Sequence, residues 1–216
     1  MFYDIKVSEN LSLADFYSQA MQELDAFYEL NWTENKPKIF ILSTKEDIQK
    51  CREQMGLSNF KGASGWVGNG SVYIVSKEIY NELMTPLDLD EQYLMLIKHE
   101  LSHLFFQHVS NFNSRPDWIW EGCAIYLSGQ NKYKKTPEMF TDFLKFFDKN
   151  VEGNVYQESG FVIQLLVEKF GKEKLLDLIK RLKECKSTED LNRLFLEIYN
   201  LELSYETINE LWLNSK

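Results

Sequence analysis

The chain has 216 residues, 44% of them hydrophobic and 14% aromatic, and a formal net charge of −9. Its length and apolar content suit one sizeable core and are too small for two independent domains. The negative charge argues against nucleic acid or an anionic membrane surface as a partner, and no run of 18 apolar residues is present to span a bilayer.

The first residues, MFYDIKVSEN, lack the basic region and apolar run of a secretory signal. Cys51, Cys123 and Cys185 are far apart and odd in number, which predicts free thiols and a cytoplasmic location. Residues Leu13, Phe16, Tyr17, Ala20, Leu24 and Phe27 recur at helical spacing, with Ser12 as the expected N-cap. KIFIL (38–42) reads as a short buried strand. It leads into a helix with Ser43 and Glu46 as capping box and Gly56 as stop. In GWVGNGSVYIVS (65–76) the Gly68-Asn69-Gly70 centre between apolar flanks predicts a β-hairpin. From Lys77 onward the periodic segments are helical, at roughly 77–84, 89–109, 117–128, 137–148, 157–170, 173–184, 188–199 and 204–214. Strands confined to the first third and helices after it predict an α+β fold.

The 89–109 segment carries all three histidines of the chain. Asp88 and Glu91 suggest a capping box, and Leu94, Ile97, Leu101, Leu104 and Phe105 an apolar stripe. Within it, HELSH places His99 and His103 one helical turn apart, about 6 Å along the axis and about 40° around it. Two imidazoles so placed can share one zinc ion. Glu100 points about 100° away from His99, suited to act on a water beside the metal rather than to ligate it. The same residues would also fit a core helix whose histidines only satisfy hydrogen bonds.

A catalytic zinc needs a third protein ligand. The HExxHxxGxxH route fails, because Phe106 and Val109 occupy its glycine and last histidine positions. His108 then reads as a surface or packing residue. RPDWIWEGCAIYLSG supplies Glu121, a carboxylate among Trp118, Ile119, Trp120, Ala124, Ile125 and Leu127 on a predicted helix. A carboxylate in such surroundings needs a partner, since an unpaired buried charge costs several kcal/mol. The 17 residues between His103 and Glu121 let the two helices pack side by side as a hairpin.

HELSH followed by PDWIWEGCAIYLSG resembles the gluzincin branch of the zincin metallopeptidases, in the pattern P-x-W-x-x-E-G-x-A. YQESGFVIQLLVEKFGKEKLLDLIKRL (156–182) is similar to the closing helical pair of the peptidase MA-like group. The resemblance covers about residues 65–184. It implies one Zn²⁺ per chain held by His99, His103 and Glu121, Glu100 as general base, and hydrolysis of peptide bonds in a peptide or protein substrate. The implied architecture is a single zincin-like domain over 1–216, with an α/β part (1–110) ending in the active-site helix and a helical part (111–216).

Two features depart from the thermolysin and aminopeptidase relatives. The interval of 17 residues is slightly short, and Ile125 stands where thermolysin-like members have an Asp that supports a ligand histidine. Asp117 is the candidate replacement. No GxMEN signature supports aminopeptidase action. Tyr156, 35 residues beyond Glu121, is a candidate donor to the oxyanion of the tetrahedral intermediate, or equally a packing residue. The hairpin could pair with an extended peptide by β-addition, or bury Trp66 and Tyr73 in the core. The rival function is a non-catalytic, zinc-stabilised binding protein on a zincin fold, although such a protein has no use for Glu100.

Overall fold

The computed structural model describes residues 12–57, 63–146 and 155–215. Helix α1 (Leu13–Tyr28) begins at Ser12, whose side chain accepts the Asp15 N–H. Phe16, Ala20, Leu24 and Phe27 are buried as the periodicity predicts, while Leu13 is 40% exposed at the helix end. Strand β1 (Ile39–Leu42) and helix α2 (Lys45–Gln54) follow.

Strands β2 (Gly65–Gly68) and β3 (Ser71–Val75) form the expected antiparallel hairpin, Gly68 pairing with Ser71. The two-residue turn between them is Asn69-Gly70, with φ of 49° and 67°. Both residues adopt the left-handed region, the geometry that matches the twist of a tight hairpin. β1 pairs with β3 in parallel, giving the order β1-β3-β2. The fold is therefore α+β, with a three-stranded mixed sheet among the described residues.

Three expectations in this region need correction. β1 is an edge strand, with Phe40 and Ile41 43% and 44% exposed, rather than a buried one. Its apolar content is spent on Ile39 and Leu42, which pack on the core, and on Phe40, which stacks on Tyr73. The α2 cap is Thr44, not Ser43, with the Asp47 N–H donating to its hydroxyl at 3.1 Å. Sheet pairing continues as far as the Leu42 carbonyl, which accepts from the Ser76 N–H, so the helix starts one residue later. Asp88 caps its helix, but Glu91 does not reciprocate; its carboxylate instead accepts from Lys132 and Tyr133.

Helices α3 (Lys77–Met84) and α4 (Leu89–Val109) have the predicted bounds, as does α5 (Asp117–Ser128). α4 is the axis of the molecule. It packs against α1, α5, β2 and β3, and nearly every side chain from Met95 to Phe106 is buried. Helices α6 (Val155–Phe170), α7 (Lys172–Arg181), α8 (Thr188–Tyr199) and α9 (Tyr205–Leu213) complete the helical part. α6 lies across α5 at close range: a Cβ on Gly122 would stand 2.7 Å from Ile163, and one on Gly160 would collide with Ile125.

The helix expected over 137–148 is replaced by a non-helical stretch and a 3-10 turn, Phe143–Phe146; 147 and 148 lie outside the described residues. Side chains from distant helices satisfy this backbone directly. Asn209 of α9 accepts from the Phe140 N–H at 2.7 Å and donates to the Phe140 carbonyl at 3.0 Å. The buried Glu158 carboxylate of α6 accepts the N–H groups of Thr141, Asp142 and Phe143. With those groups paired, helix formation gains nothing here. Among the described residues no helix is long and apolar enough to cross a membrane, and the three cysteines are free.

Candidate metal centre

α4 and α5 bring His99, His103 and Glu121 together. The two histidine Nε2 atoms lie 3.1 Å apart, and Glu121 Oε2 stands 3.3 Å from that of His99 and 3.6 Å from that of His103. Three donors held about 2.0–2.1 Å from one ion in tetrahedral array lie about 3.3–3.4 Å from one another. The observed triangle spans that value, so the residues fit a single small divalent ion. All three side chains are 13% exposed or less.

His99 Nδ1 lies 3.0 Å from the side-chain amide oxygen of Gln130; with that oxygen as acceptor, Nδ1 carries the proton and Nε2 offers its lone pair to the triangle. Burial disfavours charge on Glu121, but the two imidazoles outweigh it and hold the carboxyl well below the usual range. Burial pushes His103 down; His99, despite equal burial, is raised by Glu121 and Glu100. Glu121 is thus an anion facing two imidazoles.

The rings are fixed differently. Among the described residues the buried His103 Nδ1 has no hydrogen-bond partner, and its ring is held by stacking on Trp120, with centroids 4.1 Å apart and planes 8° from parallel. Asp117 does not support either histidine; it pairs with Arg115. Ile125 packs against Gly160 of α6. Gln130 and Trp120 are supporting residues that the sequence reading missed. Gln130 sits in the 3-10 turn Gln130–Tyr133, which is tied to α4 by Lys132 and Tyr133 on Glu91 and to α6 by Asn131 on Gln164.

Glu100 is 5% exposed, lines the cleft and makes no hydrogen bond among the described residues. Burial raises its carboxyl to about 7. Its neighbour across the cleft wall is Gly65 at the start of β2, where a Cβ would stand 2.7 Å from Glu100 Oε1. Only the missing side chain allows that approach. Tyr156, 47% exposed, is not a core residue; its hydroxyl donates to Glu121 Oε1 at 3.1 Å. His108 is exposed at the far end of α4, edge-on to Trp32.

The centre opens into a cleft of about 780 Å³ between β2 on one side and α5, the 130–134 segment and the start of α6 on the other. Trp66 and Val67 of β2 contribute to its wall, with Tyr80, Met95 and Leu96 supplying apolar surface. No family model, curated protein or solved structure matches this chain.

Proposed function

We propose that the chain is a zinc-dependent peptidase of the gluzincin type on a zincin-like fold, with His99, His103 and Glu121 as the ligands. The observation that carries this reading is the inward-facing triangle of two Nε2 atoms and one carboxylate oxygen beside a buried Glu100 that makes no hydrogen bond among the described residues. Zinc in that position supplies a Lewis acid that polarises a peptide carbonyl and acidifies a water.

The chain's own residues do the rest. Glu100 accepts the proton of the attacking water at its carboxylate and returns it to the departing amine nitrogen. Burial raises the proton affinity of this carboxyl, which favours uptake of the water's proton. Gln130 fixes the tautomer of His99, and Trp120 fixes the plane of His103. Tyr156 brings a phenolic donor to the same corner of the cleft, where it can meet a developing oxyanion. The outer edge of β2, unpaired by any other strand among the described residues, borders the cleft and offers N–H and C=O groups to an extended substrate backbone.

The separating experiment is Glu100→Gln. The amide fills the same space but cannot accept the proton, so the variant should retain its zinc and its fold while losing cleavage of a peptide library that wild type digests. Equal cleavage by both proteins would remove Glu100 from the mechanism. Metal-loaded wild type that cleaves no peptide would favour the zinc-stabilised binding protein.

A further inference from the structure

The cleft holds one lysine that the hydrolytic machinery does not use. Lys134 follows the 130–133 turn and lines the cleft with Glu100, Glu121 and Tyr156. The turn before it is anchored at every side chain: Gln130 to His99, Asn131 to Gln164, Lys132 and Tyr133 to Glu91. Lys134 is thereby delivered to the cleft on a braced support. It is partly buried, and it makes no ion pair or side-chain hydrogen bond among the described residues.

Its surroundings define what it can bind. Burial lowers the proton affinity of its ammonium, and the Glu121 carboxylate partly restores it. Glu100, Glu121 and Lys134 are the charged side chains, apart from histidine, among the described residues that line the cleft. A divalent ion offsets the two carboxylates, so Lys134 leaves the cleft with one positive charge in a chain of net −9. A half-desolvated ammonium without a partner favours an incoming anion over a neutral group, since a charge-assisted bond is stronger in such a setting than in water.

Building on the peptidase reading, we propose that Lys134 recognises a carboxylate of the substrate, either an acidic side chain or the C terminus. The test uses the full zinc-loaded chain and fluorogenic heptapeptides that place Asp, Asn or Lys at each position in turn. Each peptide is made with a free and with an amidated C terminus. Wild type should cleave a carboxylate-bearing peptide at least about tenfold more efficiently in kcat/KM than its amide counterpart. Lys134→Gln should lose efficiency on that peptide alone, and Lys134→Glu should shift the preference towards Lys. A preference that follows Asp at one position identifies an acidic side chain, and one that follows the free end identifies the terminal carboxylate. Wild type indifferent to the carboxylate overturns the proposal. So does an equal loss on every peptide in Lys134→Gln, which would make Lys134 a general transition-state donor.

The same peptides titrated into Glu100→Gln protein, read by the fluorescence of Trp66 and Trp120 beside the cleft, give the preference without turnover. There too the carboxylate peptide should bind about tenfold tighter, and adding Lys134→Gln should remove the difference. A binding preference that depends on Lys134, together with zinc-loaded wild type that cleaves none of the peptides, would sink the peptidase reading while upholding this one. A preference absent from binding overturns it.

Discussion

His103 and His99 sit one turn apart on the same helix yet are held in different ways. Gln130 hydrogen-bonds His99, whereas His103 has an orphaned Nδ1 and relies on the Trp120 ring. Groups that orient a metal ligand are commonly worth 10–100-fold in affinity. Trp120→Ala is therefore expected to weaken zinc binding by about 10–100-fold in a chelator competition. Trp120→Phe, which keeps an aromatic face, should recover most of it. Unchanged affinity in Trp120→Ala would show that packing around α4 alone holds the ring. Tyr156 presents a second choice at this scale, because its hydroxyl touches Glu121 and also faces the cleft. As an oxyanion donor it acts only in the transition state, so Tyr156→Phe should lower kcat by about 10²–10³ with KM nearly constant. Zinc content should not change. A variant with wild-type kcat but weaker zinc binding would reduce Tyr156 to an orienter of Glu121. The convergence of His99 and His103 was legible in the sequence, because the i, i+4 spacing on a well-signalled helix is a local property, and Glu121 was legible from its apolar setting on the next helix. Gln130 was not, because its position depends on Lys132 and Tyr133 reaching Glu91 forty-odd residues earlier in the chain, a contact with no local spacing rule.

At the scale of elements, the placement of Glu121 depends on how closely α5 and α6 cross. Gly122 and Gly160 remove the side chains that would hold the helices apart, and Ile125 fills the space over Gly160. A methyl at 160 would strike Ile125 and Asn131. Gly160→Ala is thus expected to cost about 1–3 kcal/mol by overpacking, read as a lowered thermal or urea midpoint. Combining it with Ile125→Ala, which vacates that volume, should cost less than the two single changes added together. Strict additivity would mean that the helices simply shift apart. Most helix bounds followed from periodicity and caps, as α3, α4 and α5 illustrate. The segment 137–142 did not, because Asn209 and Glu158 claim its backbone from far along the chain, and local apolar spacing carries no trace of that competition. β1 misled for a related reason. Four apolar residues in a row signal a strand, but whether that strand lies at the centre or the edge of a sheet is decided by its partners.

In the molecule as a whole, buried apolar side chains from the sheet and helices form one contiguous cluster, and the candidate metal centre sits where α4 passes from that cluster to the cleft. Two imidazoles and a carboxylate aimed at one point are a costly arrangement to bury without a cation between them. An ion bound to the folded chain alone also raises its stability by mass action. The most direct test is elemental analysis of the full chain refolded with zinc and freed of loosely held ions, alongside His99→Ala and Glu121→Ala. The account predicts about one zinc per wild-type chain and far less in either variant, since each removes one of three protein ligands. Wild-type protein without bound metal, or variants that hold as much zinc as wild type, would contradict it.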